Sequence, residues 1–463
     1  MSTDLHERLV EAAGGDFGEP DLADGWRRGQ RLRRLRLTRR LTLTAVVVLA
    51  VGGVGTHLLS SNGPAQVSAG LGRPEGSWQK LPPAPIDGRW SAYTVWTGQE
   101  MLIWAGHDET QTQTTDGPVT VGGQRDDGAA YNPTTRKWRR LPTAPFAITN
   151  AVNPVVVWTG TEMIVFGART TTSNGVVVPS QSENAALAYN PTTNRWRVLA
   201  TPPPGLDLLQ ASAVWAGHQA LIMGWTTPTG APVVGTGLTA QEGPNASYDP
   251  TTNTWKLIAP SPLGPLQYET LAWTGQEMIA WGGTSPATGP PTTNEGAAYD
   301  PHTNAWRILP QAPIARRSAA GAAWSGHQLL IWGGSLGTAN LGDGAAYEPG
   351  TNRWHLVAPG DLPPSVPNTT LWTGRQLLII GGTISRVVNG SSVDQPSPAS
   401  AAYSPATNTW TPLPAEPTPF CGASSAVWTG RMAILWGGNQ CTPATQYPDV
   451  PIPSTNRGVA YTP

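Results

Sequence analysis

The sequence predicts an all-β fold: a seven-bladed β-propeller closed by an N-terminal outer strand, preceded by a single transmembrane helix and a short cytoplasmic tail. Three observations carry that expectation. Two interleaved hairpin motifs recur at fixed spacing. The composition is rich in turn formers and Trp but poor in charge. An uncharged run of nineteen residues follows a basic N-terminus.

The first motif reads "AAYNPTTRKW" (129–138), "LAYNPTTNRW" (187–196), "ASYDPTTNTW" (246–255), "AAYDPHTNAW" (297–306), "AAYEPGTNRW" (345–354) and "AAYSPATNTW" (401–410). Tyr and Trp stand seven residues apart in all six copies. A fixed spacing means a fixed turn. Pro presets φ there, Asx side chains bond forward to backbone amides, and Asn tolerates the left-handed region.

The second motif reads "VWTGQEMLIWAG" (95–106), and it recurs at 157–168, 214–225, 272–283, 323–334, 371–382 and 427–438 without gaps. It is a second hairpin with Gly in its turn. Each repeat therefore holds four strands: A ending in Trp, B ending in a Gly pair, C with Tyr and D with Trp. Repeats of this length with four short strands signal a propeller, because a lone four-stranded sheet cannot cover both of its faces.

The motif set resembles the kelch repeat of the galactose oxidase and kelch-like superfamily, over about residues 77–463. The pattern departs at Ala105–Gly106, Gly167–Ala168 and Gly224–Trp225, where the Gly pair belongs. Those three blades are expected to twist differently at the end of B. The last repeat ends in "GVAYTP" (458–463) without a D strand, and "SWQKLP" (77–82) is an orphan D strand. Kelch propellers often close by such an exchange, which puts Trp78 beside Tyr461. The A-strand Trp (96, 158, 215, 273, 324, 372 and 428) are read as core, each removing ~150–250 Å² from water if fully buried.

Charged residues make up 13% of the chain against ~25% in an average domain, with Gly 53, Pro 46, Trp 21 and a net charge of −1. Such a chain is ordered rather than disordered, and nothing in it suggests nucleic acid. Residues 1–40 form a basic tail with nine Arg. Residues 41–59 are uncharged, long enough at ~1.5 Å per residue to come near a ~30 Å hydrocarbon core. The positive-inside rule then places 1–40 in the cytoplasm, with 60–76 a linker and 77–463 a propeller outside the cell membrane. A cleaved export signal is the alternative reading, with "VSA" (67–69) as the cleavage site. The tail layout resembles those of actinobacterial envelope proteins, some of which are anti-sigma factors, although the His/Cys metal motif of one such class is absent.

Length variation separates scaffold from function. The span from A-Trp to Tyr runs 35, 31, 33, 26, 23, 31 and 33 residues, whereas the other spacings barely change. Almost all variation therefore lies in the B–C connections. These share one face with the D–A connections, and kelch relatives commonly bind through that face. Candidate ligand-binding residues there are Arg89, Trp90, His107, Asp108, Arg125, Asp127, Tyr268, Glu269, Arg316 and Arg317. Aromatic, Arg and carboxylate groups at a channel mouth suit a sugar or an acidic peptide.

Cys421 and Cys441 flank the last A–B hairpin almost symmetrically about Gly430–Arg431. In an oxidising exterior they are expected to form a disulfide. The His residues are dispersed, and no two are spaced to share a metal. Galactose oxidase needs copper ligands from His and Tyr, and only His107 reaches the loop face here. No cofactor, no metal and no catalytic residue is expected. The function expected is a membrane-anchored exterior module that binds a protein or an envelope glycan. The alternatives are a carbohydrate-active or oxidase-type enzyme and a transmembrane sensor that signals through its tail. The Asn-X-Ser/Thr triplets at Asn245, Asn368 and Asn389 carry no reading.

Overall fold

The computed structural model describes residues 75–463 except 109, 115–116, 122, 150–154, 170–171, 174–175, 178–182, 227–240, 265, 286–291, 389–390, 418–423 and 440–453. Side chains are further left aside at 110–114, 117–121, 149, 172–173, 176–177, 209–210, 225–226, 241–242, 386–388 and 391–394. The expected tail, transmembrane helix and linker up to residue 74 lie outside the described residues, as do Cys421 and Cys441. Among the described residues no helix is long and apolar enough to cross a membrane.

Within the compact unit Ala69–Pro463, the described strands form seven antiparallel sheets with a four-strand A-B-C-D core each. Blade 1, for example, runs Tyr93–Trp96, Met101–Trp104, Gly128–Asn132 and Lys137–Arg140. The A strands meet their neighbours all the way round, blade 7 touching blade 1, so the sheets close into a ring with A innermost. The N-terminal strand Ser77–Lys80 supplies the D strand of blade 7, pairing with Gly458–Thr462 and setting Trp78 opposite Tyr461. The expected ring closure holds in register.

Why four-stranded sheets form a ring is visible in the packing. Each interface between blades is one apolar cluster. Into each cluster a blade sends its A-Trp and its D-Trp, against the blade before it. The pairs are Trp96 with Trp138, Trp158 with Trp196, Trp215 with Trp255, Trp273 with Trp306, Trp324 with Trp354, Trp372 with Trp410, and Trp428 with Trp78. Each D-Trp also donates its Nε1–H to a carbonyl just after the D strand of the preceding blade. Trp78 reaches Pro414 O at 2.8 Å, Trp138 reaches Pro82 O at 2.9 Å and Trp306 reaches Ala259 O at 2.9 Å. The same bond recurs at Trp196, Trp255, Trp354 and Trp410.

One expectation needs correcting. The A-Trp are only half-buried. The fully buried indoles are Trp104, Trp281, Trp332 and Trp436, which sit in the B strands. They lie deeper because B is flanked by strands on both sides and by blades on both faces. Each meets the D-Trp of the next blade, as Trp104 does Trp196 at 5.0 Å and Trp281 does Trp354 at 5.6 Å between ring centroids.

In blades 4, 5 and 7 the Gly pair ends the B strand, and for a steric reason. Gly437 has φ +74°, and a Cβ there would stand 2.6 Å from Arg89 O of the next blade. Its neighbour Gly438 donates its amide to that carbonyl at 2.8 Å. Blades 4 and 5 repeat the bond, from Gly283 to Arg317 O and from Gly334 to Ser365 O. Blades 2 and 3 do depart, as their sequences suggest: B runs on as Met163–Arg169 and Ala220–Thr226. Blade 1 keeps the kink in spite of Ala105, which adopts φ 57°.

Several B–C connections, read from sequence as loops, carry strands of their own. Thr110–Thr114 pairs with Gly117–Val121, Ser335–Leu336 with Ala339–Asn340, and the long strand Leu377–Val388 with Ser391–Ser397. Alternating Thr and Gln in Thr110–Thr114 opposite Val-Thr-Val at 119–121, and Asn389–Gly390 between the strands of the last, are the sequence signals for such hairpins.

Candidate functional site

The D–A and B–C connections do share one face. They are tied together by backbone bridges: Trp90 to His107 in blade 1, Gln267 to Thr284 in blade 4 and Ser318 to Ser335 in blade 5. The Trp90 and His107 amides each donate to the other's carbonyl at 2.9 Å. Backbone pairing of this kind fixes the two side chains side by side. The indole and imidazole stack at 4.8 Å between centroids with 26° between planes. Both are half-buried.

Beside this pair, Arg125 forms an ion pair with Asp108, and Asp108 also accepts the Gly123 amide at 2.9 Å. Burial works to raise the Asp108 carboxyl, but the Gly123 amide and the Arg125 guanidinium outweigh it and hold the carboxyl below its usual range. Asp87 stands 3.7 Å from Arg125 on the other side. Six of the candidates, from Arg89 to Asp127, thus form one cluster on blade 1.

Arg89 and Arg317 have a different use from the one expected. Their side chains are fully buried. Arg89 donates to Asp87 O, Ala105 O and Asp127 O at 3.1–3.2 Å and pairs with the Asp127 carboxylate at 2.7 Å. Arg317 repeats the arrangement, donating to Ala315 O, Gly333 O and Asp343 O and pairing with Asp343 at 2.8 Å. Burial pulls the Arg317 pKa down, and Asp343 offsets only part of this. Each guanidinium satisfies carbonyls that the B-strand kink leaves free, while its own backbone oxygen takes the glycine amide of the preceding blade. Both are locks in the scaffold. Asp127 holds Arg89 and has Arg140 at 3.7 Å as well.

The sequence held a signal for this. In blades 1 and 5 alone, an Arg seven residues before the A-Trp goes with an Asp four residues before the Tyr.

Tyr268, Glu269 and Arg316 lie across the ring, in the connections into blades 4 and 5. Tyr268 is 45% exposed with φ 56°, and Arg316 is exposed. Glu269 takes the place that Ala92 and Ala320 fill in blades 1 and 5, four residues before the A-Trp. Both of its carboxylate oxygens are shut off from solvent. Burial pushes the carboxyl up to about 7, a rise that Ser212 of blade 3 offsets only in part. The structure therefore brings the blade 1 candidates together and leaves the blade 4 and 5 candidates as a second group three blades away. Among the described residues no group of three or more His, Cys, Asp or Glu could hold a metal ion.

Fold and site together define a seven-bladed β-propeller whose B–C connections vary in length. No protein-family model matches the chain, and no curated protein matches it in sequence. Solved structures with a similar fold include that of YjhT, which is 16% identical over 72% of this chain and 99% of the YjhT chain, with a TM-score of 0.48. A likeness at that level carries nothing about ligand or activity.

Proposed function

We propose that the chain is a membrane-anchored, extracytoplasmic binding module whose loop face recognises a protein or an envelope glycan, without turnover. The observation that carries the reading is the Trp90–His107 stack. Two aromatic rings are held by backbone pairing, half open to solvent, with the Arg125–Asp108 ion pair beside them. Flat rings next to fixed charges suit the apolar face and hydroxyls of a sugar, or a charged peptide. Binding residues on variable loops over a rigid scaffold are the usual arrangement. The uncharged run 41–59 behind its Arg cluster supports the anchor and the exterior location.

The test is thermal melting of the full-length chain against envelope glycans, cell-wall fragments and candidate protein partners. A ligand at a hundred times its Kd adds about 2.7 kcal/mol to the folded state. Trp90→Ala is expected to weaken the responding ligand at least tenfold while leaving the unliganded melting temperature within a few degrees. An undiminished response in that variant would remove blade 1 as the site.

An enzyme remains the second reading, on one specific observation. Glu269 is a carboxyl whose pKa of about 7 suits a general acid or base. That chemistry would rest on Glu269 and not on Asp127, which is committed to Arg89.

A further inference from the structure

The opposite face of the ring, formed by the A–B and C–D turns, is not uniform. In blades 1, 2 and 4 the A–B turn ends in Glu100, Glu162 and Glu277. Each is clamped at 2.6 Å by an Arg of its own D strand: Arg139, Arg197 and Arg307. Blades 5, 6 and 7 have Gln328, Gln376 and Met432 at that position, and just before it His327, Arg375 and Arg431. Gln219 of blade 3 stands alone, so only in blades 5–7 do three acid-free turns lie side by side. The C–D turns begin with Asn132 and Asn190 in blades 1 and 2, with the acids Asp249, Asp300 and Glu348 in blades 3–5, and with Ser404 and Thr462 in blades 6 and 7, so acid is missing from both kinds of turn in blades 6 and 7.

This sector lines an open cleft of about 930 Å³. Trp372 and Trp428, both half-buried, line it together with Arg375, Arg431, His327 and Ser404. No carboxylate side chain is among the lining residues. Both arginines are exposed, and among the described residues neither takes part in an ion pair.

We propose that this cleft is a second binding site, for an oligosaccharide that carries carboxylate groups. Three features select that class. Among the described residues neither guanidinium is paired with a carboxylate side chain, and carboxylate is a partner they take bidentately. The two indoles offer flat apolar surface for a pyranose ring. The side-chain amides of Gln328 and Gln376 along the wall both donate and accept, as sugar hydroxyls require, while the Ser325 and Thr373 hydroxyls hold the turns beneath them. The volume lies in the range of sites that enclose a small ligand. The site is independent of the blade 1 cluster, being on the other face of the ring.

The experiment is calorimetric titration of the full-length chain with tetragalacturonate, with the same tetrasaccharide fully methyl-esterified, and with tetraglutamate. Tetragalacturonate is expected to bind saturably, the methyl ester at least tenfold more weakly, and tetraglutamate at least tenfold more weakly as well. The double variant Arg375→Gln/Arg431→Gln is expected to lose at least tenfold in affinity for tetragalacturonate at an unchanged melting temperature, since both side chains stand on turn tips. Trp90→Ala is expected to bind it as the parent does. Absence of saturable binding, equal binding of the ester, or an unaffected double variant would overturn the proposal. Equal or tighter binding of tetraglutamate would also overturn it, in favour of an acidic peptide.

Discussion

At the scale of single residues, the positions that break the repeat hold the chemistry. Glu269 stands where blades 1 and 5 have alanine, and burial raises its carboxyl to about 7, so that it is about half protonated at neutral pH. The sign of its effect on stability follows. Its folded pKa of about 7 lies above its ordinary value of 4.5, so the folded state holds the proton over that interval and the unfolded state does not. Stability from this group is therefore complete below about pH 4.5. It is lost as pH rises to 7, by about 3 kcal/mol in all. Glu269→Gln should melt close to the parent at pH 4.5 and several degrees above it at pH 8, and parallel curves for the two proteins would sink the assignment. Arg89 and Arg317 teach the reverse lesson. From sequence they read as binding groups, because Arg on a variable face usually is one. Their burial follows from the kinked B strand beside them, whose free carbonyls only the fold reveals.

At the scale of elements, the hairpins were legible and their ends less so. Strand pairing follows from two fixed spacings, and the Tyr-to-Trp register is met in every blade, as in Tyr299 opposite Trp306. The Gly pair was legible as a signature but not as a reason. Its reason is the approach of the next blade, and two glycines of one blade can separate the contributions. Gly430 and Gly437 have φ +89° and +74°, but a Cβ on Gly430 meets nothing within 4 Å while one on Gly437 meets Arg89 O at 2.6 Å. Gly430→Ala should cost about 1–2 kcal/mol through backbone strain alone. Gly437→Ala should cost that and roughly 1–3 kcal/mol more through the clash. Denaturant unfolding of the two variants measures the difference, and equal costs would mean that the blades do not need so close an approach. The depth of the B-strand Trp is not legible in the sequence for a simpler reason. The A-Trp is invariant in every repeat and draws the eye, whereas the B position varies among Trp, Phe, Met and Ile.

At the scale of the whole molecule, seven similar interfaces replace a single core. Each is made the same way round, with the indoles of one blade entering the blade before it, so the sheets associate head to tail. The number of blades and the exchange of the last D strand were both legible, since counting motifs leaves one D strand orphaned and one missing. The partition of the loop face into two groups of candidates was not legible, because sequence cannot say which loops stand next to each other across a ring. A chain starting after Leu81 lacks Trp78, its bond to Pro414 O and four register pairs. It should melt on the order of 5–10 °C below the unit Ala69–Pro463. Equal melting temperatures would show that blade 7 is stable with three strands.

The polypeptide enters the propeller through the strand that closes it. Any pull transmitted along the chain from its N-terminal side is therefore borne first by Ser77–Lys80, four residues held by one antiparallel neighbour, the Trp78 indole on Pro414 O and the Arg136 guanidinium on Lys80 O. The seven interfaces lie downstream of that clasp. Under tension the ring would unfasten there before any blade gave way, and a short strand that can peel off and re-pair works as a mechanical fuse.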